Sequence, residues 1–355
     1  MIPVLYRQHA KHSIVGISIL RHPGALTPMK NPLVPCVGLS LIALIIGCST
    51  SQRDTTQASA MASTVVVRKN LTIQDGRTGE KISWSALLSH ISDADVVVLG
   101  EQHDDATGHA VQLAVVEDML DQASGRGGLA LEMLERDEQV LVDDYRDEVI
   151  DAKTFAKLSE STSWAGEGSW EAWYQPIIDA ALERDAIVIA ANAPRRYVRL
   201  ARIGGWDQLD ELDARRRVLV NRPDTPITGV YKDRFIELMG GHEKPNLDLD
   251  KKSQEVEQAE ALERAESFFR SQQVWDATMA ASVSAALRQS GPPVMLLVGR
   301  FHSDLDGGTP QQIKRLCPSA KIVTISLEPA CEEVEFNGDL PQADFIVCTD
   351  SARSP

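Results

Sequence analysis

The feature that most constrains this sequence is one kind of junction met four times. A short apolar run stops at hydrogen-bonding or ionisable side chains, and a helix-forming stretch follows. VVVL at 96–99 runs into GEQHDD at 100–105, and LAL at 129–131 into Glu132 and Met133. AIVIAA at 186–191 runs into NAPRR at 192–196, and VMLLV at 294–298 into GRFHSDLD at 299–306. Short apolar runs without alternation are the mark of strands buried on both faces. Between the first two, Leu113, Val116 and Leu120 recur at helical spacing within 109–123, and Gly125, Gly127 and Gly128 end that helix. Further helices are expected from near Ser83 and over 135–158, 175–184 and 272–288. A last helix, then KIVTISL at 321–327 and DFIVC at 344–348, close the chain. This alternation predicts an α/β fold, a mostly parallel central sheet flanked by helices. Residues 204–270 interrupt it with charged, strand-free sequence, expected to form a helical lid insertion or a dimerisation arm.

The N-terminus is a separate matter. Residues 33–47 (LVPCVGLSLIALIIG) are apolar or small, follow Lys30 and end at Cys48. That length suits a signal-peptide core better than a bilayer span. IIGC at 45–48 resembles a bacterial lipobox, which implies a signal peptide over 1–47, starting at Met1 or Met29, and a lipidated Cys48. Residues 48–66 then read as a polar tether and 67–350 as the α/β domain, with the insertion at about 204–270. With Cys36 removed and Cys48 acylated, Cys317, Cys331 and Cys348 allow at most one disulfide. No C-x-x-C pattern is present.

The formal net charge is −15, and four basic and no acidic residues precede Cys48, so a chain beginning there carries −19. This argues against nucleic acid as a partner. The arginine-rich stretch 195–202 can still attract an anion locally.

In open parallel sheets, ligands bind beyond the carboxyl ends of the strands. The groups collected there are Glu101, His103, Asp104, His109 and Gln112; Glu132 and Met133; Asn192, Pro194, Arg195 and Arg196; and Gly299, Arg300, His302, Asp304 and Asp306. Histidine and carboxylate are the side chains that ligate transition metals or shuttle protons. Any one of them alone is equally well explained as a helix cap; four strand ends together make one wall of a site. On a helix over 272–288, Gln272, Trp275 and Met279 form one stripe and Gln273, Asp276 and Ala280 its neighbour. Asp276 can therefore reach the pocket and orient a histidine.

The set GEQHD at 100–104, LEM at 131–133, NAPRRYV at 192–198, QVWDATMA at 273–280 and GRFHSD at 299–304 resembles the ChaN-like haem-binding lipoproteins, over about residues 71–327. That superfamily includes TIKI-type metalloproteases and resembles the erythromycin-esterase fold. The resemblance implies a lipid-anchored, periplasm-facing outer-membrane protein, acylated (palmitate) at Cys48, that binds haem iron for iron acquisition. Its implied partners are haem, the membrane, a second copy of the chain and an outer-membrane haem receptor. The motif positions carry over onto Glu101, His103, Asp104, Glu132 and His302, with Arg195, Gln273 and Asp276 in support. Many relatives have two adjacent histidines where this chain has Gly108-His109. A tyrosine is linked to the haem iron in the family, and Tyr145, Tyr174, Tyr197 and Tyr231 compete for that place, with Tyr197 and Tyr231 favoured. Haem also needs propionate partners, for which Arg195 and Arg196 are candidates, and an apolar slot, for which Phe235, Leu238, Met239, Phe268 and Phe269 are. His242 is a second candidate axial ligand.

Two other functions compete. In a metal-dependent hydrolase, His103, Glu132 and His302 hold a divalent ion and Glu101 acts as general base. In a non-catalytic envelope-tethered domain, the cluster is structural.

Overall fold

A computed structural model of the chain describes residues 64–159, 164, 166, 168–240, 251–329, 336–337 and 340–350. The expected signal peptide, lipidated Cys48, most of the tether, His242 and Cys331 lie outside the described residues. Cys348 is disulfide-bonded and Cys317 is free. No described helix is long and apolar enough to cross a membrane.

The centre is an eight-stranded sheet. Its strands are β1 (Thr72–Asp75), β2 (Lys81–Ile82), β3 (Val96–Glu101), β4 (Gly128–Glu135), β5 (Ile187–Asn192), β6 (Val294–Gly299), β7 (Ile322–Glu328) and β10 (Phe345–Cys348). They lie in the order β2-β1-β10-β7-β3-β6-β4-β5. Phe336–Asn337 and Leu340–Pro341 (β8 and β9) form a separate antiparallel pair. From β10 to β5 every pairing is parallel, and only β1 and β2 join antiparallel. The apolar runs are buried on both faces, as their lack of alternation requires. Val97, Leu99, Leu129, Leu131, Met295, Leu297 and Ile325 face the larger core under α1 (Trp84–Ile91), α2 (Ala106–Ala123), α3 (Gln139–Arg146), α4 (Ala152–Leu158) and α5 (Gln175–Leu182). Val96, Val98, Ala130, Val294, Leu296 and Val298 face the other way.

Residues 195–238 contain four helices, α6 (Arg195–Gly204), α7 (Asp207–Asp210), α8 (Ala214–Arg217) and α9 (Val230–Leu238). The expected break near 270, with a new helix at 272, is absent. Instead α10 runs unbroken from Lys251 to Ser290, 40 residues. No glycine or proline occurs in that span, and Gly291, Pro292 and Pro293 stop it. Met279, Ala280, Val283 and Ala286 of its C-terminal half cover the second face of the sheet, beside Ile313 of α11 (Gly308–Leu316).

This strand order places the ends of β3, β6 and β4 side by side. Register runs straight across them, Leu99 to Leu297 to Leu131, and is broken in β4 between Leu131 and Glu135, so Glu132 stands just beyond the regular ladder.

Candidate functional site: two histidine–carboxylate pairs at the strand ends

Glu101, the last residue of β3, has the parity of Val97 and Leu99, so its side chain emerges on the α2 side. The buried carboxylate meets four groups. Oε1 lies 2.7 Å from His103 Nδ1 and accepts from the Tyr174 hydroxyl at 2.6 Å. Oε2 accepts from Gln112 Nε2 at 2.6 Å and lies 3.8 Å from His109 Nδ1. Burial pushes this carboxyl up, but the His109, His103 and Tyr174 contacts outweigh it and hold Glu101 below the usual carboxylate range. For His103 burial opposes the charged form, yet the bond to Glu101 and the charges of Glu101 and Glu132 raise it. Burial and the adjacent Glu101 charge raise the Tyr174 phenol well above its ordinary value. His109 Nδ1 lies 2.9 Å from Gln112 Oε1 and Nε2 3.0 Å from the His103 carbonyl, and its ring stacks on Trp173. Both of its nitrogens are thus engaged in tying the strand-end loop to α2.

Glu132 has the parity of Ala130 and emerges on the α10 side. Its Oε2 accepts from the Gly299 amide at 2.5 Å, and Oε1 lies 3.5 Å from His302 Nε2. His302 Nδ1 is 2.7 Å from Oδ1 of Asp276, a fully buried residue of α10. Asp276 Oδ1 also accepts from Thr309 Oγ1 at 2.6 Å, and Oδ2 from the Tyr231 hydroxyl at 2.8 Å. The first turn of α11 brings its positive end to this carboxylate. A Cβ on Gly308 would overlap Asp276 Oδ2 and lie 2.6 Å from Tyr231 Cε1, so glycine is needed there. Burial lowers His302, but the charges of Glu132 and Asp276 outweigh it and push the imidazole up to about 9. Burial and Asp276 raise Tyr231 well above its ordinary value.

The two walls meet at Gly299, where a Cβ would sit 3.3 Å from His103 Nε2 and 3.5 Å from Glu132 Oε2. Gly100 has a similar role. A Cβ there would overlap Ser303 Oγ and lie 3.1 Å from Arg300 Cα. The glycines of GEQH and GRFH therefore serve close approach rather than a special backbone angle.

The structure brings Glu101, His103, Glu132, Asp276 and His302 together, with Tyr231 attached through Asp276. Other expected residues lie apart. Asp104 is exposed and accepts from Gln102. Arg195 is 69% exposed, 3.7 Å from Glu135 and stacked over Trp164, whose ring meets His103 edge-on. Arg196 pairs with Asp137 at 2.6 Å and lies over the Tyr197 ring. Tyr197 belongs to a different apolar cluster with Val198, Ala201 and Leu209. Asp304, raised by burial, accepts from Ser326 and Gln342. Gln273 accepts from the Ile227 amide. The link from Tyr174 to Glu101, and Gly308 and Thr309 behind Asp276, had no signal in the sequence beyond aromatic richness and a GGT turn.

Among the described residues no three His, Cys, Asp or Glu side chains form a group able to hold a metal ion. His103, Glu132 and His302, the expected metal set, all reach the junction at Gly299. Both Nδ1 atoms are held by carboxylates, and Glu132 Oε2 by the Gly299 amide. Two imidazoles oriented through Nδ1 thus turn Nε2 toward Gly299 and Glu132, an arrangement suited to acid–base chemistry.

The expected apolar slot also differs. Phe235 and Phe269 are packed with Tyr231, Ile227 and Ile236 in a closed cluster, whereas Leu238 and Met239 are 67% and 38% exposed. All four candidate tyrosines are engaged: Tyr145 donates to Asp179, Tyr174 to Glu101 and Tyr231 to Asp276, and Tyr197 is buried under Arg196.

Among solved structures, the chain is similar to the ChaN protein of Campylobacter jejuni, described with cofacial haem binding. The TM-score is 0.57 at 21% identity, covering 79% of this chain and 97% of that one. That likeness establishes the shared fold. The type III effector HopBA1 is more distant (TM-score 0.41, 11% identity, 74% and 90% covered), as is an erythromycin esterase in its open conformation (0.40, 12%, 78% and 81%). No curated protein matches the sequence. Residues 87–313, which hold both walls of the cluster and the insertion, match the family described as haem-binding uptake, Tiki superfamily, ChaN. The chain belongs to that family.

Proposed function

We propose that this chain binds haem as a lipoprotein of iron acquisition, anchored through Cys48 in the outer membrane and facing the periplasm. The observation that carries the proposal is the family match across 87–313; the lipobox-like IIGC at 45–48 supports the anchor. The buried cluster does not fit a tetrapyrrole. Its carboxylates and Nδ1 atoms are already engaged at 2.5 to 2.7 Å, and the ring needs an apolar slot. The surface of the insertion fits better. Exposed Leu238 and Met239 end α9, and half-buried Phe268 lies under the Arg202 guanidinium, a cation for a propionate. The haem seat is proposed there, outside the cluster. A second copy of the chain and an outer-membrane haem receptor are the partners this role calls for.

The test is a haem titration of the chain from Ser49 onward, followed by Soret absorbance, with light scattering for dimerisation. Saturable binding is expected, weakened at least about tenfold by Leu238→Glu and kept in His302→Ala. A titration without saturation overturns the proposal, and loss of binding in His302→Ala moves the seat into the cluster.

The two histidine–carboxylate pairs favour a second function, hydrolysis by acid–base chemistry. Turnover of model esters or peptides that is lost in His103→Ala and in His302→Ala supports it; no turnover removes it. A purely structural cluster shows instead as a lower melting temperature in both variants with haem binding unchanged.

A further inference from the structure

Residues 195–222 contain eight arginines, no lysine and four carboxylates, a net charge of +4 in a chain of −15. They fold as α6, α7, α8 and a following turn, with one shared inner face. Tyr197, Val198, Ala201, Leu209 and Val220 pack there against Val274 of α10. The layer is tied down by polar contacts at both ends. Arg217 and Arg222 both reach Asp210, and half-buried Arg136 donates to Asn221 and to the Val218 carbonyl. At the other end Arg270 donates to the Arg202 carbonyl.

The outer face is left to solvent, and its composition is unusual for a solvated one. Arg199 and Arg215 are exposed, and among the described residues neither pairs with a carboxylate. In the same segment Ile203 is 66% and Val218 69% exposed, one at the end of α6 and the other just after α8. Trp206, half-buried, lies between α6 and α7. The positive charge selects an anionic partner. Two exposed aliphatic side chains on the same arginine-rich segment select one that offers hydrocarbon beneath its phosphates. Arginine binds phosphate in bidentate fashion and lets its stem lie on apolar surface. The geometry points to the outer face of α6–α8 as a docking surface for an anionic phospholipid membrane, with Ile203 and Val218 entering the headgroup boundary.

The proposed haem seat uses other side chains of α6 than Arg199 and Ile203, and the assay dispenses with lipid at Cys48, so the variants below separate the two proposals. The chain from Ser49 onward is sedimented with vesicles of phosphatidylglycerol mixed equally with phosphatidylcholine, and with phosphatidylcholine alone. Binding is expected to the first only, and to fall as salt rises. Arg199→Glu with Arg215→Glu should weaken it at least about tenfold, since each basic residue near an anionic surface contributes about fivefold and reversal does more than remove it. Ile203→Asn should weaken it severalfold while leaving the salt dependence intact. Circular dichroism and haem titration should match the parent in both variant proteins. No binding to the acidic vesicles, or binding that survives the charge reversal, overturns the proposal. Retention on an acidic polymer without vesicle binding also overturns it and assigns the face to an acidic macromolecule.

Discussion

Replacing Asp276 by Asn isolates the pairing at the centre of the cluster. Asp276 holds His302 Nδ1 at 2.7 Å, and with Glu132 it pushes that imidazole up to about 9. An unfolded histidine titrates near 6.5. A group raised in the folded state stabilises the protein fully below its unfolded pKa and loses that contribution as pH rises through the folded one. The interval from 6.5 to about 9, at about 1.4 kcal/mol per pH unit, corresponds to about 3 kcal/mol, present at pH 6 and gone by about pH 10. Asn keeps one acceptor oxygen, enough for Thr309 or Tyr231 but not both, and removes one of the two anions, leaving Glu132 at 3.5 Å. Asp276→Asn should therefore cost about 3–5 kcal/mol at pH 6, the range for breaking a buried pair. The gap to the parent should narrow as pH passes 9. Urea unfolding at intervals from pH 6 to pH 10 measures both, and histidine-ring NMR follows His302 directly. A gap independent of pH, or a His302 that titrates near 6.5 in the parent, refutes the reasoning.

Gly308→Ala should act on the same carboxylate from behind, displacing Asp276 and costing about 2 kcal/mol or more in urea unfolding, with a lowered His302 midpoint by NMR. Gly100→Ala should destabilise by a similar amount, because the added methyl meets the Arg300 backbone as well as Ser303; an unchanged melting temperature contradicts this. Glu138 is pushed up to about 7, first by burial and then by Glu135 and Asp137. Its raised carboxyl favours folding at low pH and loses that advantage between about 4.5 and 7, so Glu138→Gln should be neutral or stabilising at pH 8, read by thermal melts. Arg136 is half-buried with its donors on Ser282, Asn221 and the Thr278 carbonyl, and desolvation lowers it to about 10. Arg136→Met should loosen residues 218–222, seen as faster amide exchange there than in β4.

The strands were legible because burial on both faces leaves an unbroken apolar run, and the groups after them because ionisable side chains rarely follow such runs by chance. Strand order was not legible. That β6 lies between β3 and β4, and so brings His302 to Glu132, depends on packing that no local pattern encodes. The contact from Asp276 to His302 was within reach of helical spacing, whereas Thr309 and Gly308 were not, since the fit of α11 against α10 is a property of the assembled core. The apolar residues of the insertion were visible as a set but not as two. Packing among Phe235, Phe269 and Tyr231 closes one group inside and leaves Leu238 and Met239 outside. Position along the chain does not separate them.

The unbroken helix α10 has a consequence for how such a chain can change over time. Val256, on the insertion, and Asp276, in the cluster, are carried by one rod, 40 residues and about 60 Å long. Each residue turns the helix by about 100°. Deleting a single residue between them would swing the insertion's face about a quarter-turn or more around the axis while the cluster stayed put. Length variation in this stretch should therefore be tolerated only in steps of about seven, two full turns at a time. A variant shortened by one residue should fold around an intact cluster with its outer half facing the wrong way.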